Sequence, residues 1–308
     1  MRILFLGTPA PAAIALERIV RDGRFTIVGI VTQPDRPAGR RARLQPPPVK
    51  QMAADLGLSA PLLQPESLRD PAWVAQLAAL EADLGVVAAY GEILRRDVLA
   101  IPPLGYLNIH PSLLPRYRGP APVTGAILAG DAEVGVSIIR LTPKMDAGPI
   151  VAQSRMPLPA DARAGALTEH LFALGADVLA DSIPAYAAGT LQPQAQDETL
   201  ATYTSLLRKE DGRVDWSLPV AHIERMVRAY DPWPSAWAMW RDAPIKILEA
   251  RIGAGPAEAP PGALLEGARV ATADGILDLL TVQPAGRRAM PAAEWYRGQR
   301  PQAGERFV

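Results

Sequence analysis

Short apolar runs and longer amphipathic stretches alternate along the first half of the chain. RILFLG, beginning at Arg2, is an apolar run closed by Gly7, and AAIALERIVRDG follows with helical spacing and ends on Gly23. FTIVGIVTQ reads as a second strand. PPVKQMAADLGL reads as a helix with proline at its start and glycine at its end, as helix termini prefer. ADLGVVAAYG is continuously apolar, the pattern of a strand buried on both faces of a parallel sheet. YLNIH and GVSIIRL are further strands, separated by a stretch suited to a helix from Val123 to Ala129. TEHLFALGADVLADSIPAYAAG is a long amphipathic helix closed by Gly189. Strands alternating with helices predict a doubly wound α/β sheet.

From about Leu191 the texture changes. LQPQAQDETLATYT is polar and aperiodic, and it reads as a linker. Beyond it fall five of the six tryptophans, among short β-like runs: PSAWAMW, PIKILEARI, GALLE, ARVATAD and GILDLLTVQP. Short strands bounded by glycine and proline predict a small β-barrel. PVAHIERMVRAY is the one good helix there, and the tryptophans read as core residues ahead of base-stacking platforms. A chain of 308 residues is comfortable for two such domains, each burying its own core.

Composition narrows this picture little. The chain is 49% hydrophobic and 21% charged with a formal charge of zero, so no global field draws it to nucleic acid or membrane. It contains no cysteine, which removes disulfides, thiol nucleophiles and cysteine-type zinc sites. The apolar start is too short for a secretory signal, and no run reaches the length of a membrane span. A soluble, cytoplasmic protein is expected. It is expected to be monomeric, since no apolar element is obviously spare.

Candidate chemistry concentrates in LNIHPSLLPRYRG, from Leu107 to Gly119. In an extended strand residues i and i+2 share a face, so Asn108 and His110 can reach one small volume. Pro111 then ends the ladder because it brings no N–H. In an open α/β sheet ligands bind beyond the carboxyl ends of the strands, and VVAAYG ends at the same edge, offering Tyr90, Gly91 and Glu92 as pocket wall. TPKMDAGPI places Asp146 at the end of a further strand; alone it reads as an ordinary Asx turn. Together the three have complementary roles. Histidine exchanges protons near neutrality, a carboxylate positions it or water, and an amide donor stabilises an oxyanion without being consumed. The turn after Gly7 lacks G-x-G-x-x-G, so a dinucleotide cofactor is not favoured. There is no serine or cysteine elbow and no metal-type cluster, and His170 and His222 read as ordinary helix residues. Acyl transfer by direct attack of a bound amine or water remains. Separately, DRPAGRRARLQPPPVK carries five basic residues (Arg36, Arg40, Arg41, Arg43, Lys50) against one acid, Asp35. Such a cationic, extended loop can follow phosphates, or be a plain solvated loop.

NIHPSLLPRYRG together with MDAGPI, after VVAAYG, resembles the folate-dependent formyltransferases, which use 10-formyltetrahydrofolate as one-carbon donor. The stretch Thr32 to Lys50, KEDGRVDW with RAYDPWPSAW, and DGILDLLTVQPAGRRAM are similar to the members that act on methionyl initiator tRNA, so the resemblance spans nearly the whole chain. It implies a Rossmann-like catalytic domain over residues 1–190, a linker over 191–205 and an OB-like, tRNA-binding domain over 206–308. It implies formyl transfer to the amino group of the methionyl tRNA, with Asn108, His110 and Asp146 as the catalytic trio. Ser112, Leu113, Leu114 and Pro115, with Tyr90, Gly91 and Glu92, would line the tetrahydrofolate site. Arg36, Arg40, Arg41, Arg43 and Lys50 would engage tRNA, Arg40 matching the basic residue of the reading loop, and no metal is implied. The chain departs from familiar members after Gly119, where PAPVTGAI carries Pro120, Thr124 and Gly125 in place of the usual alanine, glutamine and a bulky residue. Two rivals stand beside this reading: another formyltransferase or hydrolase on the same platform, and a catalytically silent tRNA-binding protein. The basic loop and β-rich second domain speak against the first, the Asn-x-His with Asp146 against the second.

Overall fold

The computed structural model describes residues 1–38, 43–302 and 304–308. They form two compact units: Met1–Pro122 with Glu133–Pro157 and Thr168–Thr204, and Val123–Ala132 with Leu158–Leu167 and Ser205–Val308.

The first unit is built on nine strands: β1 (Arg2–Gly7), β2 (Thr26–Val31), β3 (Arg36–Ala38), β4 (Arg43–Gln45), β5 (Leu62–Leu63), β6 (Leu84–Ala88), β7 (Tyr106–His110), β8 (Glu133–Arg140) and β9 (Ile150–Pro157). Seven of them form one sheet in the order β5-β2-β1-β6-β7-β8-β9. Pairing is parallel from β5 to β7, as the buried runs predict, but β8 runs antiparallel to β7 and β9 antiparallel to β8. Strand direction was not readable beforehand because the side-chain period is two in either sense.

Helices α1 (Ala10–Asp22), α2 (Pro48–Asp55), α3 (Pro71–Ala79), α4 (Arg96–Leu99), α5 (Pro122–Ala129) and α6 (Ala164–Ala187) complete this half of the chain. On one face of the sheet Phe5, Val86, Leu107, Ile109 and Val136 pack with Leu16 and Ile19 of α1 and with Phe172, Leu179 and Ile183 of α6. On the other, Leu4, Leu6, Val87 and Tyr106 pack with Leu77 of α3, Leu94 and Val98. Both faces are therefore covered, as a parallel sheet requires. The alternation along β7 sends Leu107 and Ile109 into the first layer and leaves Tyr106, Asn108 and His110 on the second face. In the basic stretch read as an extended loop, β3 and β4 pair as a short antiparallel ladder, Arg36 opposite Gln45 and Ala38 opposite Arg43. The described side chains of the ladder, Arg36, Pro37, Arg43, Leu44 and Gln45, are exposed, so they leave no buried alternation to read in the sequence.

The second unit contains α7 (Val220–Ala229), β10 (Ala236–Trp240), β11 (Ala243–Ile252), β12 (Leu264–Leu265), β13 (Arg269–Ala271), β14 (Ile276–Pro284), β15 (Met290–Pro291) and α8 (Ala292–Gln299). The strands pair antiparallel in the order β10-β11-β14-β13-β12, with β15 also on β14. This sheet is open by strand pairing, and the C-terminal residues bridge its two ends. On the β10 side Met239 and Val308 exchange N–H···O bonds of 2.9 and 3.0 Å. On the β12 side the N–H groups of Leu264 and Phe307 donate to Glu305 O (3.1 Å) and Gly262 O (2.8 Å). The second helix, α8, escaped the pattern reading because it is short and buries only Ala292 and Trp295.

Trp216, Trp240 and Trp295 surround Phe307 with ring centroids 5.4, 5.1 and 5.9 Å away, so these tryptophans are core. Trp233 is 54% exposed and Trp237 donates its indole N–H to Lys209 O. Phe307→Ala is expected to destabilise this unit by ~3–5 kcal/mol, the usual loss for emptying a large aromatic site. Chemical unfolding followed by tryptophan fluorescence reads that loss; an unchanged midpoint would exclude the ring as the centre of the core. Among the described residues no helix is long and apolar enough to cross a membrane.

Candidate active site

Strand β7 lies between β6 and β8, with Asn108 opposite Val87 and Ile139 and His110 opposite Ser137. Where the strand ends, the chain turns sharply, and the Ser112 N–H donates to His110 O at 2.8 Å. The loop that follows is pinned from β8 and β9. Ser137 Oγ donates to Ser112 O (2.6 Å) and accepts from the Leu114 N–H (3.0 Å), while Gln153 Nε2 donates to Leu114 O (2.9 Å). This loop brings the Tyr117 carbonyl back over the strand end, 2.9 Å from His110 Nε2. A carbonyl only accepts, so Nε2 carries the proton in that bond.

The other ring nitrogen, Nδ1, faces the Asp146 carboxylate at 3.7 Å, an ion-pair distance too long for a hydrogen bond. Asp146 Oδ2 accepts instead from the Gly119 N–H at 2.8 Å. Its Oδ1 and the Asn108 side-chain amide make no hydrogen bond among the described residues. Asn108 is 9% exposed, His110 is buried and the Asp146 side chain is 15% exposed, so the ring and the carboxylate meet in a largely desolvated place, with Asn108 two residues earlier on the same face of the strand. The imidazole is thus held from its far side by a backbone carbonyl, and the carboxylate keeps one oxygen uncommitted among the described residues.

Two turns make this possible, and both contain a left-handed residue. Tyr117 has φ 61° and Asp146 φ 49°. Non-glycine residues there cost ~1–3 kcal/mol each and persist only where their surroundings hold them. Aspartate tolerates the region better than most side chains. Gly119, at φ 110°, lies where an added Cβ would stand 2.5 Å from Thr204 O. At Gly148 a Cβ would stand 1.8 Å from Arg140 O, so only glycine lets the Asp146 turn close on the end of β8.

The other expected residues divide. Ser112 is buried and donates to Arg116 O at 2.7 Å, Leu114 is buried, and Leu113 lies over β8 where a Cβ on Gly135 would reach it at 2.5 Å. Pro115 offers its carbonyl to the Thr202 N–H. The Tyr90 ring is buried in the second-face core, and its carbonyl accepts from Thr8 Oγ1 at 2.9 Å. Burial, with the Glu92 charge adding to it, pushes the Tyr90 hydroxyl far above the ordinary phenol range. Gly91 takes φ 97° between them. Glu92 is tied to the Ser67 hydroxyl (2.8 Å) and the Leu68 N–H (3.0 Å). In the basic stretch Arg36 pairs with Glu66 at 3.0 Å, and Arg43 is exposed. Lys50 is a strut, bonding both Asp35 oxygens and Gln64 Oε1 at 2.8–2.9 Å. That ammonium, then the Gln64 amide, holds the Asp35 carboxyl below the usual range. Arg40 and Arg41 lie outside the described residues. Among the described residues no group of three His, Cys, Asp or Glu side chains stands close enough to hold a metal ion.

Sequence reasoning passed over four groups: the Tyr117 carbonyl, the Gly119 N–H, Arg118 and Gln196. The first two are backbone atoms, silent in any motif. Arg118 shows only as an arginine beside a glycine, and Gln196 sits in a polar stretch with no periodicity.

Comparison with known proteins gives the same answer for both halves of the chain. The formyl transferase family model matches residues 1–183, and the model for the formyl transferase C-terminal domain matches residues 206–300. The chain is 61% identical to a methionyl-tRNA formyltransferase of Roseiflexus sp. (strain RS-1), covering 100% of this chain and 95% of that protein. It is 58% identical to a methionyl-tRNA formyltransferase of Herpetosiphon aurantiacus, covering 97% and 98%. Among solved structures it is similar in fold, at 18% identity and a TM-score of 0.63, to HypX from Aquifex aeolicus in complex with tetrahydrofolic acid, over 96% of this chain and 47% of that one. The chain belongs to the formyl transferase family through both its N-terminal and its C-terminal parts.

Proposed function

We propose that the protein transfers the formyl group of 10-formyltetrahydrofolate to the α-amino group of methionine esterified to initiator tRNA. The observation that carries this reading is a tethered imidazole facing a half-committed carboxylate at one strand end, with the Asn108 amide on the same strand face, in a chain whose relatives are named for that reaction. The donor set fits a formyl carbonyl. It offers two N–H donors at Asn108, a ring nitrogen at His110 and a proton acceptor at Asp146.

In this reading the amine nitrogen attacks the formyl carbon, the carbonyl electrons move onto oxygen, and the new C–N bond forms before the bond to N10 breaks. Asn108 donates to the oxyanion from a fixed position, at no cost of reorganisation. His110 assists beside that oxygen as a proton-bearing electrostatic partner, and its ring orientation is kept by the Tyr117 carbonyl. Asp146 faces Nδ1 of that ring and uses its unbonded oxygen to take the proton that the attacking amine must lose, directly or through water. The leaving N10 gains a proton, so tetrahydrofolate and the formamide product balance the reagents. The segment 112–115 with residues 90–92 borders the donor.

The Arg36–Lys50 stretch is the proposed tRNA contact, with Arg36, Arg40, Arg41 and Arg43 supplying positive charge for phosphates and Lys50 bracing its root. Arg43→Ala is expected to weaken productive tRNA engagement and reduce the salt slope of binding by about 1, leaving folate binding nearly intact. Titrations across a salt series check it, and an equal loss for both substrates would mark the stretch as structural. The direct test of the activity is incubation with 10-formyltetrahydrofolate and charged initiator tRNA. Formyl-methionine on the RNA is expected. Formylation of an amino sugar instead, or release of free formate alone, would refute the assignment.

A further inference from the structure

The side chain of Arg118 is almost wholly enclosed, at 1% exposure. Its Nε and Nη2 donate to Gln196 Oε1 at 3.0 and 2.8 Å. Its Nη1 and Nη2 donate to the two Glu198 oxygens at 3.0 and 2.8 Å, and Nη1 also reaches the Tyr203 hydroxyl at 3.2 Å. A buried cation is tolerated only when its donors are met in this way.

Gln196 turns the other end of its amide toward the opposite turn. Its Nε2 donates to the carbonyls of Asp146 and Gly148, each at 2.7 Å. The backbone repeats the arrangement. The Arg118 N–H donates to Thr202 O and the Thr204 N–H to Arg118 O, both at 2.8 Å, while the Tyr117 N–H donates to Thr202 Oγ1 at 2.8 Å. Upstream, Gln194 and Ile150 exchange backbone bonds of 2.7 and 2.8 Å. The stretch 194–204 therefore grips two turns at once, and each holds a left-handed, non-glycine residue that displays a working group. Tyr117 displays the carbonyl that orients His110; Asp146 displays the carboxylate that faces it.

We propose that Arg118 and Gln196 are positioning residues for formyl transfer: together they lock the Tyr117 and Asp146 turns in register, so that His110 and Asp146 stay opposed. The inference rests on the reading of His110 and Asp146 as catalytic groups. Neither Arg118 nor Gln196 touches the reacting atoms; both act through the turns. The role needs the planar fork of arginine, which serves Gln196 and Glu198 with paired donors. Lysine keeps the charge and cannot reproduce the fork.

The test compares wild type with Arg118→Lys and Gln196→Glu in the full-length protein. It measures single-turnover rate at saturating substrates, KM for each substrate, thermal midpoint and the imidazole 15N signals. Gln196→Glu keeps an acceptor for Arg118 and deletes the donors to the Asp146 and Gly148 carbonyls, so it decides the matter even if Arg118→Lys fails to fold. Both variants are expected to lose ~10–100-fold in single-turnover rate, the usual scale for groups that orient catalytic ones, with KM changed by less than about threefold. The chain has three histidines, and only the His110 signal is expected to move while His170 and His222 stay. A Gln196→Glu rate within about twofold of wild type, or an unmoved His110 signal, overturns the positioning role. His110→Ala and Asp146→Ala run alongside. If they keep the wild-type rate, the catalytic reading falls first. If they lose activity and Gln196→Glu does not, only the positioning role falls.

Discussion

Asn108→Ala is expected to slow single-turnover formyl transfer by ~100–1000-fold while the chain still folds, the scale reported generally for deleting an oxyanion donor. The two halves of that expectation have separate physical grounds. Asn108 is mid-strand, and its backbone pairing with Val87 and Ile139 is independent of the side chain. Its amide has no partner among the described residues, so truncation breaks no bond that stabilises the native state. In the proposed mechanism that amide instead meets a charge that exists only during the reaction. Its removal should therefore fall on turnover and spare KM, because an interaction made in the transition state alone does not tighten substrate binding. Asn108→Asp, nearly the same in shape, replaces donors by a negative charge and is expected to be at least as inactive. A rapid-quench measurement at saturating substrates reads both. A wild-type rate for Asn108→Ala would remove the residue from the mechanism.

The second large effect is expected at Asp146. Asp146→Asn should lose at least ~100-fold in the same assay, within the range usual for a general acid–base group. Asparagine is the informative replacement because the aspartate has two duties. Oδ2 accepts from the Gly119 N–H, a bond the asparagine side-chain oxygen can retain, and asparagine tolerates the left-handed backbone at φ 49°. What it lacks is the negative charge opposite His110 Nδ1 and the second oxygen that can take a proton. Asp146→Ala removes the Gly119 anchor as well and places a less tolerant residue in a strained turn, so it should lose both rate and thermal midpoint. If Asp146→Asn matched wild type in rate, the carboxylate would be a structural acceptor and the amine's proton would have to leave by another route. His110→Ala is expected to show a comparable loss, and it also removes the ring's bond to the Tyr117 carbonyl.

These cases show how far the sequence reaches toward the site. The apolar run Leu84–Ala88 and the proline- and glycine-bounded helices were legible because burial and helix termination leave a local trace. The shared face of Asn108 and His110 was legible for a simpler reason, since alternation is intrinsic to an extended chain. The β3–β4 ladder was not, because its described side chains are exposed and leave no alternation to read. The bridging of the second sheet by Glu305–Val308 was equally hidden, since backbone bonds between distant segments require no particular side chains.

By itself, then, the amino-acid order determined the alternating elements of the first unit, the tryptophan-rich β character of the second, and the pairing of an amide with an imidazole at the end of β7. Only the tertiary structure decided that β8 and β9 run antiparallel, that Asp146 arrives opposite His110, and that the ring is held by Tyr117 while the carboxylate leans on Gly119. It also decided that Lys50 braces its own loop and that Arg118 and Gln196 bind two turns together. The reason is one of range. Periodicity, capping and turn chemistry act over a few residues, whereas these contacts join segments far apart in the chain and are made largely by backbone atoms that every residue shares.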